Sequence, residues 1–580
     1  MSTPAAIRRF IVGLFVINSR ETGAWRNALR TGITSSVTIV TACAIFGTTI
    51  GPMSLFGAML AQWESGRALL ARIKTGLLVG SAITLSMAVG VLIAPLQWLV
   101  IPATVAIILA TSTAYYAFVL TRGPGPLHLF YAAAIGSYFG LFGDIGWHSV
   151  GMTGFACLLT ALLTLAFLIP DLHRPEKQAV FEAGEAVAAF EAAAARASLD
   201  HGLRVLRHRA YFAVNRAWLM FQDNAIGPLR MPAQRAFTAE MLDINRRLGA
   251  AIARRAFPGA RLIDIVPDTP AMLGRPSLAY LFTHGFRRHS IAWFTAWRIG
   301  LAAGISGAIT QGLALGHPYW AILTSTIVLH LWIGRLATTR RAIHRAAGTV
   351  LGLGVVALVG FADPAPWVLV AVIVACVIAM CLTLPLNYAV AMIFVTPMSL
   401  LSIEAATGGP IRDLILDRLV ETLIGAGVAV AVTWVSGLRE PQRLVRDQFR
   451  RTVAAIRRTL AVIDAGRALA PEGRSARVEL LFELQSNNAV LTRATEEDAA
   501  LEPWHEVETT IGDLGYLTLG AYWIANPGEC LPAGAAMARL DALLAALEPL
   551  DRDADDPARI AAALAEARDL LLKPAGATAA

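Results

Sequence analysis

The chain alternates between long apolar blocks and short polar turns that are mostly basic. No Asp, Glu, Lys or Arg occurs in 75–121, 299–334 or 364–403. About 20 apolar residues in a helix cross the roughly 30 Å of a bilayer's hydrocarbon, so each block is long enough for two spans joined by a turn. The same reading along the whole chain predicts spans near 31–47, 51–63, 75–94, 98–120, 126–142 and 149–169. It predicts six more near 299–315, 319–333, 348–361, 367–384, 388–401 and 414–435. A charged, alanine-rich stretch with helical periodicity follows each set, as in 182–197, 237–256, 443–465 and 535–572. The pattern predicts an all-α polytopic membrane protein with two parallel six-helix transmembrane repeats, each followed by a cytoplasmic helical domain. The first bundle covers 1–170, its helical domain 171–290, the second bundle 291–437 and the C-terminal helical domain 438–580.

Composition narrows the picture further. With 56% hydrophobic residues, 16% charged residues and a mean hydropathy of +0.58, a soluble enzyme core of this length is excluded. Lys and Arg sit on one side of the predicted spans: Arg20, Arg26, Arg30, Arg67, Arg72, Lys74, Arg122, Arg174, Lys177, Arg335, Arg340, Arg341 and Arg345. Arg412 is the exception on the other side. Cytoplasmic loops carry the excess of bases, so both termini are expected in the cytoplasm of a bacterial inner membrane. These bases and the soluble arms account for the net charge of +8, and no aromatic residues interleave with bases as a nucleic-acid site requires. The apolar run 10–17 behind Arg8 and Arg9 reads as an amphipathic helix at the membrane surface. Five cysteines show neither a paired spacing nor a metal-ligand pattern, and no phosphate-binding glycine loop is present. Neither a cofactor, a metal nor a catalytic constellation is expected.

Sliding the chain along itself uncovers a repeat at an offset of 272 residues, with no insertions across the matched stretch. Trp25-Arg26 falls on Trp297-Arg298, Gly32-Ile33 on Gly304-Ile305, Gly76 and Gly80 on Gly348 and Gly352, and Tyr116 on Tyr388. An even number of spans per half makes the repeats parallel, related by an axis along the membrane normal. A solute path would then run along the seam between the halves. The glycine pairs at four-residue spacing read as close helix packing.

Tyr319-Trp320-Ala321 opens a span. An arginine-rich turn, Arg340-Arg341-Ala342-Ile343-His344-Arg345, then leads into Gly348-Thr349-Val350-Leu351-Gly352. Asn387-Tyr388-Ala389, Phe394-Val395-Thr396-Pro397 and Asp417-Arg418-Leu419-Val420-Glu421-Thr422 follow in order. Over 297–434 this series resembles the fusaric acid resistance and aromatic acid exporter superfamily. The first half keeps Gly76 and Gly80 but lacks the Tyr-Trp opening. The resemblance implies a bundle-plus-helical-domain plan and export of aromatic carboxylates across the inner membrane. Related plant malate channels pair two single-half chains, so this duplicated chain looks like a fused pair.

Several residues are candidates for substrate contact. Arg345 lies one turn before a span and inside the resemblance, while other bases at the same mouth would also serve topology alone. His330 is an ionisable group within an apolar stretch, where it could bind a carboxylate, carry a proton or bond a neighbouring helix. Tyr319, Trp320, Asn387, Tyr388 and Arg418 complete the substrate candidates. The aromatic ones could equally anchor helix ends at the interface. Asp413, Asp417 and Glu421 recur every four residues and form a carboxylate stripe on the last span; Asp417 and Glu421 are the proton-coupling candidates, with a structural ion pair of Arg418 with Glu421 or another helix as the alternative. The expected function is gradient-driven efflux of an organic anion. A passive anion channel and a non-transporting membrane scaffold are the alternatives. Expected partners are membrane lipid and the small anion, with a periplasmic adaptor and a homo-oligomer left open and no nucleic acid.

Overall fold

In the computed structural model the described residues are 14, 24–64, 66–118, 125–195, 201–224, 232–263, 273–287, 290–316, 319–330, 334–408, 411–436, 440–525, 531–532, 534–549 and 556–572. Most of the run 10–17, Arg122, Cys530 and the C-terminal residues 573–580 lie outside them. Secondary structure among the described residues is helical, apart from one isolated bridge between Leu262 and Ile524.

In chain order the helices are α1 (Ala24–Phe46), α2 (Leu55–Ala58), α3 (Ala61–Glu64), α4 (Leu69–Ile93), α5 (Gln97–Ala117), α6 (Leu127–Phe139) and α7 (Asp144–Ala166). Then come α8 (Arg174–Ala194), α9 (His201–Asp223), α10 (Pro232–Ala256) and α11 (Leu278–Gly285). The second half holds α12 (Ile291–Gly312), α13 (Tyr319–Leu329), α14 (Arg335–Ala362), α15 (Pro366–Thr383), α16 (Tyr388–Thr407) and α17 (Ile411–Ser436). The chain closes with α18 (Glu440–Asp464), α19 (Pro471–Glu497), α20 (Trp504–Ala521), α21 (Ala535–Leu547) and α22 (Pro557–Leu572).

Eight of these, α1, α4, α5, α7 and α14 to α17, are long and apolar enough to cross a membrane, which makes the chain a multi-pass membrane protein. Hydropathy along the sequence expects twelve spans; among the described residues these eight meet both length and composition. Helix α12 carries Arg298 and four glycines and falls outside the eight, and α6 and α13 are short. The stretch expected as a span at 51–63 is instead a 3-10 turn, Gly51–Ser54, followed by α2 and α3. Eleven residues of α13 rise about 16 Å, half the thickness of a bilayer's hydrocarbon. Such a broken segment survives where protein surrounds it, and every residue of α13 except Ile327 is buried. Its hydroxyls fold back onto the helix, with Ser325 Oγ donating to the Ile322 carbonyl at 3.0 Å and Thr326 Oγ1 at 2.7 Å.

The chain forms two compact units, one of 1–170 with 282–438 and one of 171–281 with 439–580. Both bundles thus share one unit, and so do the two soluble stretches that the sequence suggested as separate domains. Within the membrane unit the packing repeats with the duplication. Helix α4 packs on α6 and α7 as α14 packs on α16 and α17, α2 on α7 as α13 on α17, and α1 on α15 as α12 on α5. The last pair exchanges partners between halves and ties them together. In the soluble unit, Arg204 and Arg207 of the first stretch pair with the buried Asp513 of the second. Tyr280 donates to Glu483 at 2.8 Å, joining the stretches again.

Glycines set the closest approaches. A Cβ on Gly425 would lie 2.4 Å from the Ala321 carbonyl oxygen, and one on Gly348 would lie 2.5 Å from Met392 Cβ. Only a residue without a side chain lets α17 reach α13, or α14 reach α16, so closely.

Candidate functional site

These contacts dictate which side chains face inward. Arg418 precedes Gly425 by two helical turns and so shares its face, which places it over the first turn of α13. Its guanidinium carbon sits 3.6 Å from the centre of the Trp320 ring. Arg345 precedes Gly348 by three residues and faces α16, where its Nη1 meets the Met392 thioether at 2.6 Å. Arg345 is 2% exposed and Arg418 1%. Thioether sulfur is a weak acceptor for a guanidinium. Arg345 Nε and Arg418 Nε and Nη1 are buried with no hydrogen-bond partner among the described residues.

Arg418 lies within electrostatic reach of Arg345, Tyr131, Tyr319 and Glu421. Glu421, 0% exposed, is one turn along α17 from the arginine. With all three ionised, this interior carries one surplus positive charge. A buried guanidinium is costly in hydrocarbon unless a partner or a functional ligand compensates it. Around the charges stands a set of aromatic rings: Tyr319 centres 4.9 Å from Trp320 and 5.3 Å from Tyr138, and Tyr131 centres 6.4 Å from Trp320. Trp320 also stands in the first turn of α13, at the positive end of its dipole. The arrangement sets two buried guanidinium groups and a carboxylate against aromatic rings.

The remaining sequence candidates divide. Asp417 is half-buried, its carboxylate against Gly316, while Asp413 is exposed, so the stripe runs from an exposed end to the buried Glu421. His330 does not lie mid-span. It follows the C-terminal end of α13, 6% exposed, with Nδ1 at 2.8 Å from the Ile327 carbonyl oxygen. Arg341 donates to that carbonyl at 3.1 Å and stacks at 4.3 Å on Tyr388. His330, Arg341 and Tyr388 therefore form a second cluster that satisfies the end of the broken helix. Asn387 caps α16, accepting from Ala389 N at 2.8 Å and Val390 N at 3.3 Å, so its side chain is committed to the backbone.

Sequence reasoning passed over Tyr131, whose segment carries no mark beyond its hydrophobicity. Arg341, grouped in the sequence with the bases of the cytoplasmic mouth, instead bonds the Ile327 carbonyl and stacks on Tyr388. Among the described residues no group of His, Cys, Asp and Glu could hold a metal ion. Cys43, Cys157, Cys376 and Cys381 are buried free thiols.

Residues 301–432 match the fusaric acid resistance protein-like family. An uncharacterised protein, ORF2, of Neisseria gonorrhoeae is 29% identical over 147 residues, which cover 25% of this chain and 33% of that protein. The chain thus spans a third of the length of this relative. No solved structure matches it. The matched segment contains α13 to α16 and nearly all of α17, and with them Trp320, Arg345, Arg418 and Glu421. The likeness to the fusaric acid resistance protein-like family thus lies in this second transmembrane half.

Proposed function

We propose that the chain exports organic anions, of the aromatic carboxylate class, across a bacterial inner membrane, with both termini and the soluble unit in the cytoplasm. One observation carries this reading: a buried guanidinium close over the Trp320 ring, its Nε and Nη1 without a hydrogen-bond partner among the described residues, with a second buried arginine within electrostatic reach. Such a cation–π contact is worth about 2 kcal/mol when water is excluded. The N–H donors on Nε and Nη1 suit a carboxylate oxygen. The rings of Tyr319, Trp320 and Tyr138 supply an apolar wall for the rest of the substrate. A family named for resistance to fusaric acid supports an acid as the exported solute.

The charge balance favours a monoanion, which cancels the surplus of Arg345 and Arg418 over Glu421. The inside-negative membrane potential drives such a charge outward by about 2.3 kcal/mol per 100 mV. A proton held on Glu421 raises the positive surplus and tightens the hold on the anion; that proton stays with the protein, so the anion's charge alone crosses. Outward movement accordingly draws on the electrical part of the ion gradient.

The test is efflux of radiolabelled p-hydroxybenzoate from loaded, energised bacteria lacking their own exporters. Wild type exports the acid, an uncoupler stops it, and Arg418→Ala reduces the initial rate at least ten-fold at equal membrane abundance. Wild-type cells that retain the acid and a wider carboxylate panel, with the protein present in the membrane, would refute the reading.

A further inference from the structure

Arg345, Arg418 and Glu421 lie in the second half, and no charged residue stands 272 positions before any of them. At the 272-residue offset Arg345 corresponds to Ile73, Arg418 to Gly146 and Glu421 to Ser149. A Cβ on Gly146 would lie 3.0 Å from Gly140 Cα and 3.0 Å from Val91 Cγ1, so packing leaves little room for a long side chain there. The first half contributes to the charged centre by another route. Helix α6 packs on α13, and the ring of Tyr131 lies between Phe56, at 5.6 Å, and Trp320, at 6.4 Å. Its phenol feels the charges of Arg418 and Arg345 and hydrogen-bonds the Ser399 hydroxyl. Ser399 Oγ donates to the Thr396 carbonyl at 3.1 Å, so its oxygen is left to accept from Tyr131. A phenol hydrogen rotates freely about its C–O bond.

We infer that Tyr131 of the first half is a binding residue of the single anion site in the second half, turning its O–H from Ser399 onto a carboxylate held by Arg345 and Arg418. This rests on the anion-transport reading above. The site then reads both oxygens of a carboxylate, one by guanidinium N–H donors and one by a neutral donor. Tyr131 also makes the site inseparable from the first half, although the charges belong to the second.

The experiment measures binding of radiolabelled benzoate to purified full-length protein by equilibrium dialysis, for wild type, Tyr131→Phe, Ser399→Ala and Arg418→Ala. Loss of the phenol hydroxyl leaves the ring between Phe56 and Trp320, and should raise Kd about ten-fold, the usual effect of losing a hydrogen bond to a charged group. Ser399→Ala removes the same internal bond but frees the phenol, so its Kd should equal or fall below that of wild type. Benzoate bound equally well by Tyr131→Phe and wild type, with binding lost in Arg418→Ala, would overturn this inference alone. Equal weakening by Tyr131→Phe and Ser399→Ala would also overturn it, because the hydroxyl would then serve only to brace the helices. Failure of wild type to bind benzoate, or undiminished binding by Arg418→Ala, would overturn the transport reading and this inference together.

Discussion

Glu421 sits beside an arginine with unsatisfied donors, and the charge balance makes it a competitor for any carboxylate that binds there. Glu421→Gln removes one negative charge while keeping the shape, so affinity for benzoate should rise at least several-fold, and the pH dependence of binding should flatten. A weaker affinity in that variant would show that the carboxylate contacts the substrate side through a proton or a cation. In the soluble unit, His208 lies 2.9 Å from the Tyr516 hydroxyl. Burial first, then the charge of Arg207, holds its imidazole below the usual histidine range. An unfolded histidine takes up its proton near pH 6.5 while the folded one resists. The native state therefore loses stability as pH falls below about 6.5. Replacing His208 by Gln should remove part of the fall in apparent unfolding temperature between about pH 6.5 and 5.5. A fall as steep as in wild type would show that the histidine contributes nothing there. Arg418 stood out in the sequence as a base inside an apolar span, with a structural ion pair to Glu421 or another helix as its other reading. Tyr131 was not, because its meaning comes from a helix more than 180 residues away in the chain, with only sheer hydrophobicity around it.

Helix types and the repeat were legible from periodicity and uncharged length, since both follow from hydrocarbon thickness and the helical rise. The breaks were not. Hydropathy sums along 319–333 and sees one span, but the helix stops at Leu329, where His330 and Arg341 take over the bonding of the Ile327 carbonyl. The same sum along 51–63 overlooks the turn at Gly51 and Pro52. Short interrupted segments at corresponding places in two repeats are where transporters build their sites, and here the charged centre stands on the first turn of α13. Asn387 illustrates the reverse case, a motif residue whose side chain is spent on helix capping. Asn387→Ala should lower stability by about 1 kcal/mol and leave benzoate affinity unchanged. A loss of affinity without a loss of stability would move Asn387 into the site.

At the scale of the molecule, duplication has kept the scaffold and let the chemistry diverge. Matching helix pairs recur in both halves, and α1 with α15 and α12 with α5 bind the halves to each other. The charges are confined to the second half, which is also the stretch that carries the family match. The two soluble stretches, which the sequence placed in separate domains, join through Arg204, Arg207 and Asp513, pairings that no local pattern announces. The central claim is that an organic anion crosses this molecule by way of Arg418 and its neighbours. Its most direct test is uptake of labelled p-hydroxybenzoate into proteoliposomes holding purified protein, with an inside-positive potential imposed by a potassium gradient and valinomycin. The account predicts potential-dependent uptake by wild type and a rate at least ten-fold lower for Arg418→Ala at equal reconstitution. Uptake that is equal in the two proteins, or absent from wild type for every carboxylate tried, would contradict it.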